Sequence, residues 1–504
     1  MRISPLNGAQ RLFFMAGLLL TWPLILNGGP FLFSDTTSYI RAADAVAFSA
    51  TGHTTPWSDV ITTPQRAAAS GVLTGSVAGP EGGAGGDPIG DETASGQNVI
   101  VGRSIFYGAM LYAGVLFGSL AFPAILQALV AGIAIIGGVR HFADPAVERD
   151  QFNRLAIGST AVAATVSALP WFTIFLMPDV FAGLAILAAA IVLGGWAREP
   201  LSWRLFWAAL LCFAALVHAS HLLLLIALGF VGIGIRALCG PIVRIMPILL
   251  VFAAAMIGVA GDAAFQLGIG AVSHRAAVRP PFLAMRLIAD GPGAAYLRAT
   301  CPNSGFALCD FRELPASNSD VLLWSADPRL GMFTAASAEV QRRIAREQFQ
   351  FVMGVGMRYP GWTAATMFSN FWRQLGLVGL DEFRVSPLAD PEVAARTPAP
   401  VRATIEASAI ARGGIPTGLY RLVIWPVTVI GLGLLALAVF RRGWVVATPA
   451  LVILIGILTN AAICGALSIP SDRYQDRVIW LIAVFAVFVW RDAQPRRLFN
   501  YLGS

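Results

Sequence analysis

Lysine is absent from this chain of 504 residues, so all 35 Lys-or-Arg positions are arginine. Charge is scarce too: 12% of residues are charged against 57% hydrophobic, and the mean hydropathy is +0.70. So little charge in a chain of this length excludes an ordinary soluble globule and implies a polytopic helical membrane protein. The formal charge of +7 does not imply nucleic acid. The arginines concentrate in short loops beside apolar runs, where positive charge fixes membrane orientation. With alanine and glycine abundant, the missing lysine reads as coding bias. Histidine and cysteine number only five each, and no metal-ligand spacing occurs among them. No metal or other cofactor is required by the sequence. A small-x-small cleavage site is also missing after the first apolar run. With Arg2 and Arg11 before it, that run reads as an uncleaved anchor.

A bilayer core needs roughly 20 apolar residues per helix. Ten runs qualify: 11–27, 122–139, 154–176, 179–196, 203–219, 221–237, 244–262, 419–440, 445–466 and 477–491. With the N-terminus inside, the flanking arginines (Arg140, Arg154, Arg198, Arg204, Arg236, Arg244, Arg441, Arg442, Arg491, Arg496 and Arg497) all fall on the cytoplasmic side. Residues 104–121 fit an interfacial or dipping helix better than a span. His218-Ala219-Ser220-His221 is a tight reversal between two spans. The expected fold is an all-α polytopic bundle of about ten spans with a small mixed external domain. Its parts are an anchor (1–28), a first external loop (29–121), a bundle (122–262), an external, periplasmic domain (263–418) and C-terminal helices with a short tail (419–504). An inner-membrane location with both termini cytoplasmic follows from this layout.

The first external loop begins with an expected helix, Thr36 to Ala47, and continues into a glycine-rich stretch around 71–87 with too few side chains to offset ordering entropy. In the second external region, Ala335 to Arg358 has the apolar stripe of an amphipathic helix. Cys301 and Cys309 lie there, separated by Pro, Asn and Gly, a spacing that suits a disulfide in an oxidising compartment. Cys212, Cys239 and Cys464 read as packing residues.

Polar residues gather at span ends that this topology places on the external face: Asp35, Asp179, His218, His221, Arg473 and Arg477. Each has an ordinary explanation. Asp35 and Asp179 suit helix N-caps, the histidines suit headgroup-level turn positions, the arginines suit lipid anchors, and Asp44 suits a solvated helix face. Together they suit chemistry at the membrane surface. A fixed carboxylate accepts a proton from a hydroxyl, while guanidinium groups bind a phosphate and stabilise charge developing on it.

The passages Phe33-Ser34-Asp35-Thr36-Thr37-Ser38-Tyr39, Gly102-Arg103-Ser104-Ile105-Phe106-Tyr107, Met177-Pro178-Asp179 and Val217-His218-Ala219-Ser220-His221-Leu222 resemble the GT-C class of integral-membrane glycosyltransferases. That class includes protein mannosyltransferases and the lipid A aminoarabinose transferase, and the resemblance covers roughly the first 240 residues. It implies inverting transfer of a sugar from a polyprenyl-phosphate carrier to an extracytoplasmic acceptor (a glycan, lipid or protein). Asp35 would be the base and Asp179 or Asp44 a supporting acid, with Asp59 a further option for the second acid. Arg103, His218, His221, Arg473 and Arg477 would contact the donor phosphate, and Tyr39 and Tyr474 the substrate. The partners implied are the carrier-linked sugar, the acceptor and membrane lipids, with no nucleic acid. Two alternatives stay open: a lipid or solute transporter or flippase, and a non-catalytic component of envelope polysaccharide assembly. The few polar residues within spans, Gln127, Asn460 and the His pair, weigh against the transporter.

Overall fold

Hydrophobic length proposes the rods, but proline and small polar residues decide where they break. The computed structural model describes residues 7–59, 98–143, 147–273, 276–315, 318–415 and 417–490. The glycine-rich stretch 71–87 and the arginines at 491, 496 and 497 lie outside the described residues. The expected first span is two helices, α1 (Gly8–Leu19) and α2 (Trp22–Asn27). Pro23, in the first turn of α2, has no N–H with which to continue the α1 ladder. Next come α3 (Ser34–Thr51), α4 (Pro56–Asp59), strand β1 (Val99–Ile100), α5 (Ile105–Leu116) and α6 (Ala121–Phe142). The expected span 154–176 is also divided, into α7 (Arg149–Val166) and α8 (Leu169–Ile174), with Pro170 just inside the second piece.

The bundle continues through α9 (Val180–Gly195), α10 (Leu201–Val217), α11 (Ala219–Cys239) and α12 (Ile245–Ser273). Strand β2 (Ala277–Val278) pairs in parallel with β1 and joins the segment before α5 to the segment after α12. The next region holds α13 (Phe282–Ala289), α14 (Pro292–Thr300), α15 (Ser319–Trp324), α16 (Ala338–Arg358), α17 (Pro360–Gly376), α18 (Pro391–Ala395) and α19 (Ala399–Glu406). Three helices close the described chain: α20 (Tyr420–Arg442), α21 (Trp444–Leu467) and α22 (Asp472–Trp490).

Six of the described helices are long and apolar enough to cross a membrane: 121–142, 180–198, 219–239, 245–269, 417–441 and 446–467. The chain is therefore a helical membrane protein. Of the other four expected spans, two are the divided ones, α10 is a shorter apolar helix, and α22 carries four charged residues in its first two turns. Residues 104–121 hold the short α5, with Leu116 and Phe117 exposed at its end. The mixed domain expected over 263–418 is corrected to a helical one. Among its described residues strand is confined to the β1–β2 pair, because amphipathic helices bury Met285, Leu297, Leu308, Leu322, Phe333 and Phe351 in a core separate from the bundle.

At the centre of the bundle α9 has buried residues on every side, and its alanines and glycines let neighbours approach closely. At Gly183 an added Cβ would lie 2.6 Å from both the Arg477 carbonyl oxygen and the Trp480 Nε1 of α22. A second fixed point is a short parallel bridge. The Phe31 N–H donates to the Ile174 carbonyl at 3.0 Å, and the Leu176 N–H donates to the Phe31 carbonyl at 2.8 Å. The Thr36 hydroxyl adds a bond to the Leu176 carbonyl at 3.0 Å. These bonds lay the start of α3 beside the segment that enters α9, which brings the turns carrying Asp35 and Asp179 together.

Candidate functional site

Asp35 is not the helix cap expected of it. Phe33 occupies the N-cap position, and its N–H donates to the Thr36 hydroxyl at 2.9 Å. The Asp35 carboxylate, in the first turn, instead takes a bond from Arg103 Nη2 to Oδ1 at 2.6 Å, with both side chains about a quarter exposed. Arg103 therefore orients the acid, and its own buried Nε has no hydrogen-bond acceptor among the described residues. One turn along α3, Tyr39 is buried with its ring 5.1 Å edge-on to Tyr107. Burial raises its pKa, so the phenol stays protonated.

Asp179 does stand at the N-cap of α9, yet its carboxylate makes no capping bond. It accepts from Arg477 Nη1 at 3.0 Å, with Arg473 Nε at 3.7 Å. Arg477 is 1% exposed and fully engaged: Asn460 Oδ1 at 2.8 and 3.2 Å, Ser220 Oγ at 3.3 Å and Cys464 Sγ at 3.1 Å complete its contacts. With a partner at each of its three nitrogens, this guanidinium pins α22 to α9, α11 and α21, a structural role beside the phosphate contact expected of it.

Arg473, one helical turn earlier, is the opposite case. It is 9% exposed and donates one hydrogen bond, from Nη2 to the Tyr474 hydroxyl at 3.0 Å. Its guanidinium lies 4.5 Å from the Phe33 ring centroid and 4.8 Å from that of Tyr474. Buried Nε and Nη1 have no hydrogen-bond acceptor among the described residues. Unmet buried donors are costly, and a planar fork with two such N–H groups suits an oxyanion. Tyr474 forms a shelf between the two arginines, its ring also 5.0 Å from Arg477.

His218 breaks the chain between α10 and α11 and caps α11, its Nδ1 accepting the Ser220 N–H at 3.1 Å. Burial, aided by the Arg477 charge, pushes its pKa down to about 4, so the imidazole is neutral at pH 7. His221 is fully buried, its ring 5.1 Å from His218 and its Nδ1 3.2 Å from the Ala214 carbonyl oxygen. Enclosed in this way, it does not present itself to a phosphate. Asp44 is corrected from solvated face or second acid to a buried structural group. Its two oxygens accept the hydroxyls of Thr55 and Ser58 at 2.6 and 2.7 Å, nine residues along α3 from Asp35.

Two acids that the sequence did not single out face this cluster. Glu382 accepts the Ser471 hydroxyl at 3.3 Å; burial raises its pKa and the charge of Arg473 opposes the rise. Asp320, on α15, feels Asp35, Arg473 and Arg103: desolvation and the Asp35 charge raise its carboxyl, while the arginines hold it down. Only the Asn318 cap that starts α15 marks that region in sequence. Cys301 and Cys309 form a disulfide with Cα atoms 5.4 Å apart. Among the described residues no group of three or more His, Cys, Asp or Glu is placed to hold a metal.

The bridge at Phe31 thus helps to gather Asp35, Arg103, Tyr39, Asp179, His218, Arg473, Arg477 and Tyr474 at one end of the bundle. No family model matches the chain, and neither a curated protein nor a solved structure matches it.

Proposed function

We propose that the protein is a membrane glycosyltransferase of GT-C-like layout, moving a sugar from a polyprenyl-phosphate carrier to an acceptor hydroxyl outside the inner membrane. The ten-span topology with both termini cytoplasmic belongs to this proposal. Asp35 removes the proton from the acceptor hydroxyl, whose oxygen attacks the anomeric carbon of the donor. The bond from that carbon to the phosphate oxygen breaks, the phosphate leaves with one more negative charge, and the configuration inverts. Arg473 receives that charge through Nε and Nη1. Arg103 orients the base, and Tyr39 and Tyr474 border the sugar.

The observation that carries the reading is an oriented carboxylate, Asp35, within electrostatic reach of a buried guanidinium whose Nε and Nη1 lack hydrogen-bond acceptors. A second feature suits a lipid-borne donor. A largely apolar cavity of about 390 Å³ is lined by Phe31, Leu32, Trp57, Val115, Val401 and Ile405, three residues of chain before Asp35. Transport is less well supported, because the polar group deepest in α6 is fully engaged. Gln127 accepts the Tyr107 hydroxyl at 2.9 Å and donates to the carbonyls of Thr173 and Phe175.

The test incubates the full-length protein in vesicles with short-chain polyprenyl-phosphate hexose and pentose donors and follows release of polyprenyl phosphate. Consumption by wild type and its loss in Asp35→Asn support the proposal. Full turnover by folded Asp35→Asn removes the assigned base, and solute movement without any glycosidic bond formation favours the transporter.

A further inference from the structure

Helix α17 belongs by sequence to the external region, yet it packs along α21, one of the membrane-length helices. A Cβ added at Gly465 of α21 would lie 2.7 Å from the Asn370 carbonyl oxygen of α17. Near the end of α17, Gln374 exchanges two hydrogen bonds with Ser471, at 2.7 and 3.0 Å. The opposite face of α17 is uncovered: Trp362, Phe368 and Trp372 are 46%, 64% and 68% exposed.

Residues 359–372 contain no charged side chain, although much of the helix surface is open; the charge on α17 is Arg373, exposed in its last turn. The pattern begins in the last turns of α16, where Phe349, Met353 and Met357 are exposed and no charge occurs from 348 to 357. A helix surface facing water carries charge on its open side; an uncharged aromatic face of this extent marks a contact with something apolar.

We infer that α17 and the end of α16 lie in the bilayer leaflet on the external side, with Phe368 and Trp372 among the acyl chains. The occupant is lipid because α17 packs against α21, a membrane-length helix whose own Leu451 and Leu458 are exposed. Trp362 and Tyr359 suit the headgroup level, where aromatic rings with a polar tip concentrate. Arg358, the single charge between 348 and 372, has a stem long enough to reach the headgroups from the α16–α17 joint. Lipid contact on one side of α17 and Gln374 on the other then position Ser471, two residues from Arg473, so the membrane itself supports the guanidinium site.

The experiment places nitroxide labels at Ser369→Cys, Trp372→Cys and Phe349→Cys in full-length protein carrying Cys212→Ser and Cys239→Ser. The labelled protein is reconstituted in phosphatidylethanolamine–phosphatidylglycerol vesicles. Ser369 is exposed and small, so its replacement tests the same face without removing an aromatic ring. Relaxation by oxygen is compared with relaxation by a water-soluble nickel chelate. The ratio of oxygen to nickel accessibility is expected to be severalfold higher at all three positions than at Arg329→Cys, whose parent side chain is 86% exposed. Nickel relaxation at 369 and 372 as strong as at 329 overturns the inference. Exclusion of both reagents also overturns it, with label-to-label broadening then identifying a second copy as the cover and its absence another protein surface.

Discussion

Arg473 and Arg477 are four residues apart on one helix and share the neighbourhood of Asp179, yet their replacement should have opposite consequences. Arg477→Met removes a cation that is 1% exposed and leaves the Asp179 carboxylate, 3% exposed, without its main partner. Breaking a buried pair from one side costs about 3–5 kcal/mol. It also strands the Asn460 oxygen that accepts two of the Arg477 bonds. The double variant Arg477→Met/Asp179→Asn should recover part of that loss, because the stranded carboxylate is gone while Arg473 loses the same partner at 3.7 Å. Arg473→Gln should cost far less, since that side chain donates one hydrogen bond, to its neighbour Tyr474, and the Asp179 carboxylate 3.7 Å away keeps Arg477. Two charge-assisted bonds to a donor phosphate, at about 1.5 kcal/mol each as a lower figure, amount to about 3 kcal/mol or roughly a hundredfold in affinity. Stability is read from the rate at which Cys464, buried beside Arg477, reacts with a thiol reagent on heating. Affinity is read by titrating purified protein with a short polyprenyl phosphate. A stable Arg477→Met variant, or an Arg473→Gln variant that binds normally, refutes the division of labour between the two arginines.

Three further outcomes are expected. Gly183→Ala should cost about 1–3 kcal/mol by overpacking, since its Cβ has no room against α22; an unchanged Cys464 reaction rate on heating would contradict the close approach. Replacing both Cys301 and Cys309 by Ser should cost about 2.5 kcal/mol from the loop-closure relation for a separation of 8 residues. The readout is faster proteolysis of the external unit, and an unchanged rate would count against it. His218 binds protons less readily when folded, its pKa lowered to about 4 from the ordinary 6.5. The unfolded chain therefore holds the extra proton between these values. The contribution of neutral His218 to stability is full above pH 6.5 and lost as pH falls toward 4. A His218→Asn variant should show a shallower acid loss across that window; an identical acid profile would contradict it.

The sequence pattern located the long helix bodies better than the breaks within its apolar runs. Membrane length and the absence of charge marked the six long helices, and the His218 break between α10 and α11 falls where the sequence put it. Proline and tertiary packing, which hydropathy does not register, divided the runs at 20–21 and 167–168. The convergence of Asp35 with Arg473 followed from topology, but their partners did not. Whether an arginine is saturated or unmet depends on which carbonyls, amides and carboxylates other helices bring to it. Arg473 and Arg477 therefore looked alike in sequence. Asp44 looked solvated because its hydroxyl partners, Thr55 and Ser58, arrive from the short segment after its own helix. Asp320 and Glu382 reach the cluster only through the docking of the segments between α12 and α20, which no local motif encodes.

The most direct test of the central claim separates donor binding from transfer in the Asp35→Asn protein. Vesicles containing wild type or variant are given a radiolabelled polyprenyl-phosphate sugar, and bound and transferred label are counted in the same sample. Unchanged binding with transfer reduced by about 10²–10⁴-fold is the result expected for a lost general base. Transfer at the wild-type rate by the folded variant would contradict the account.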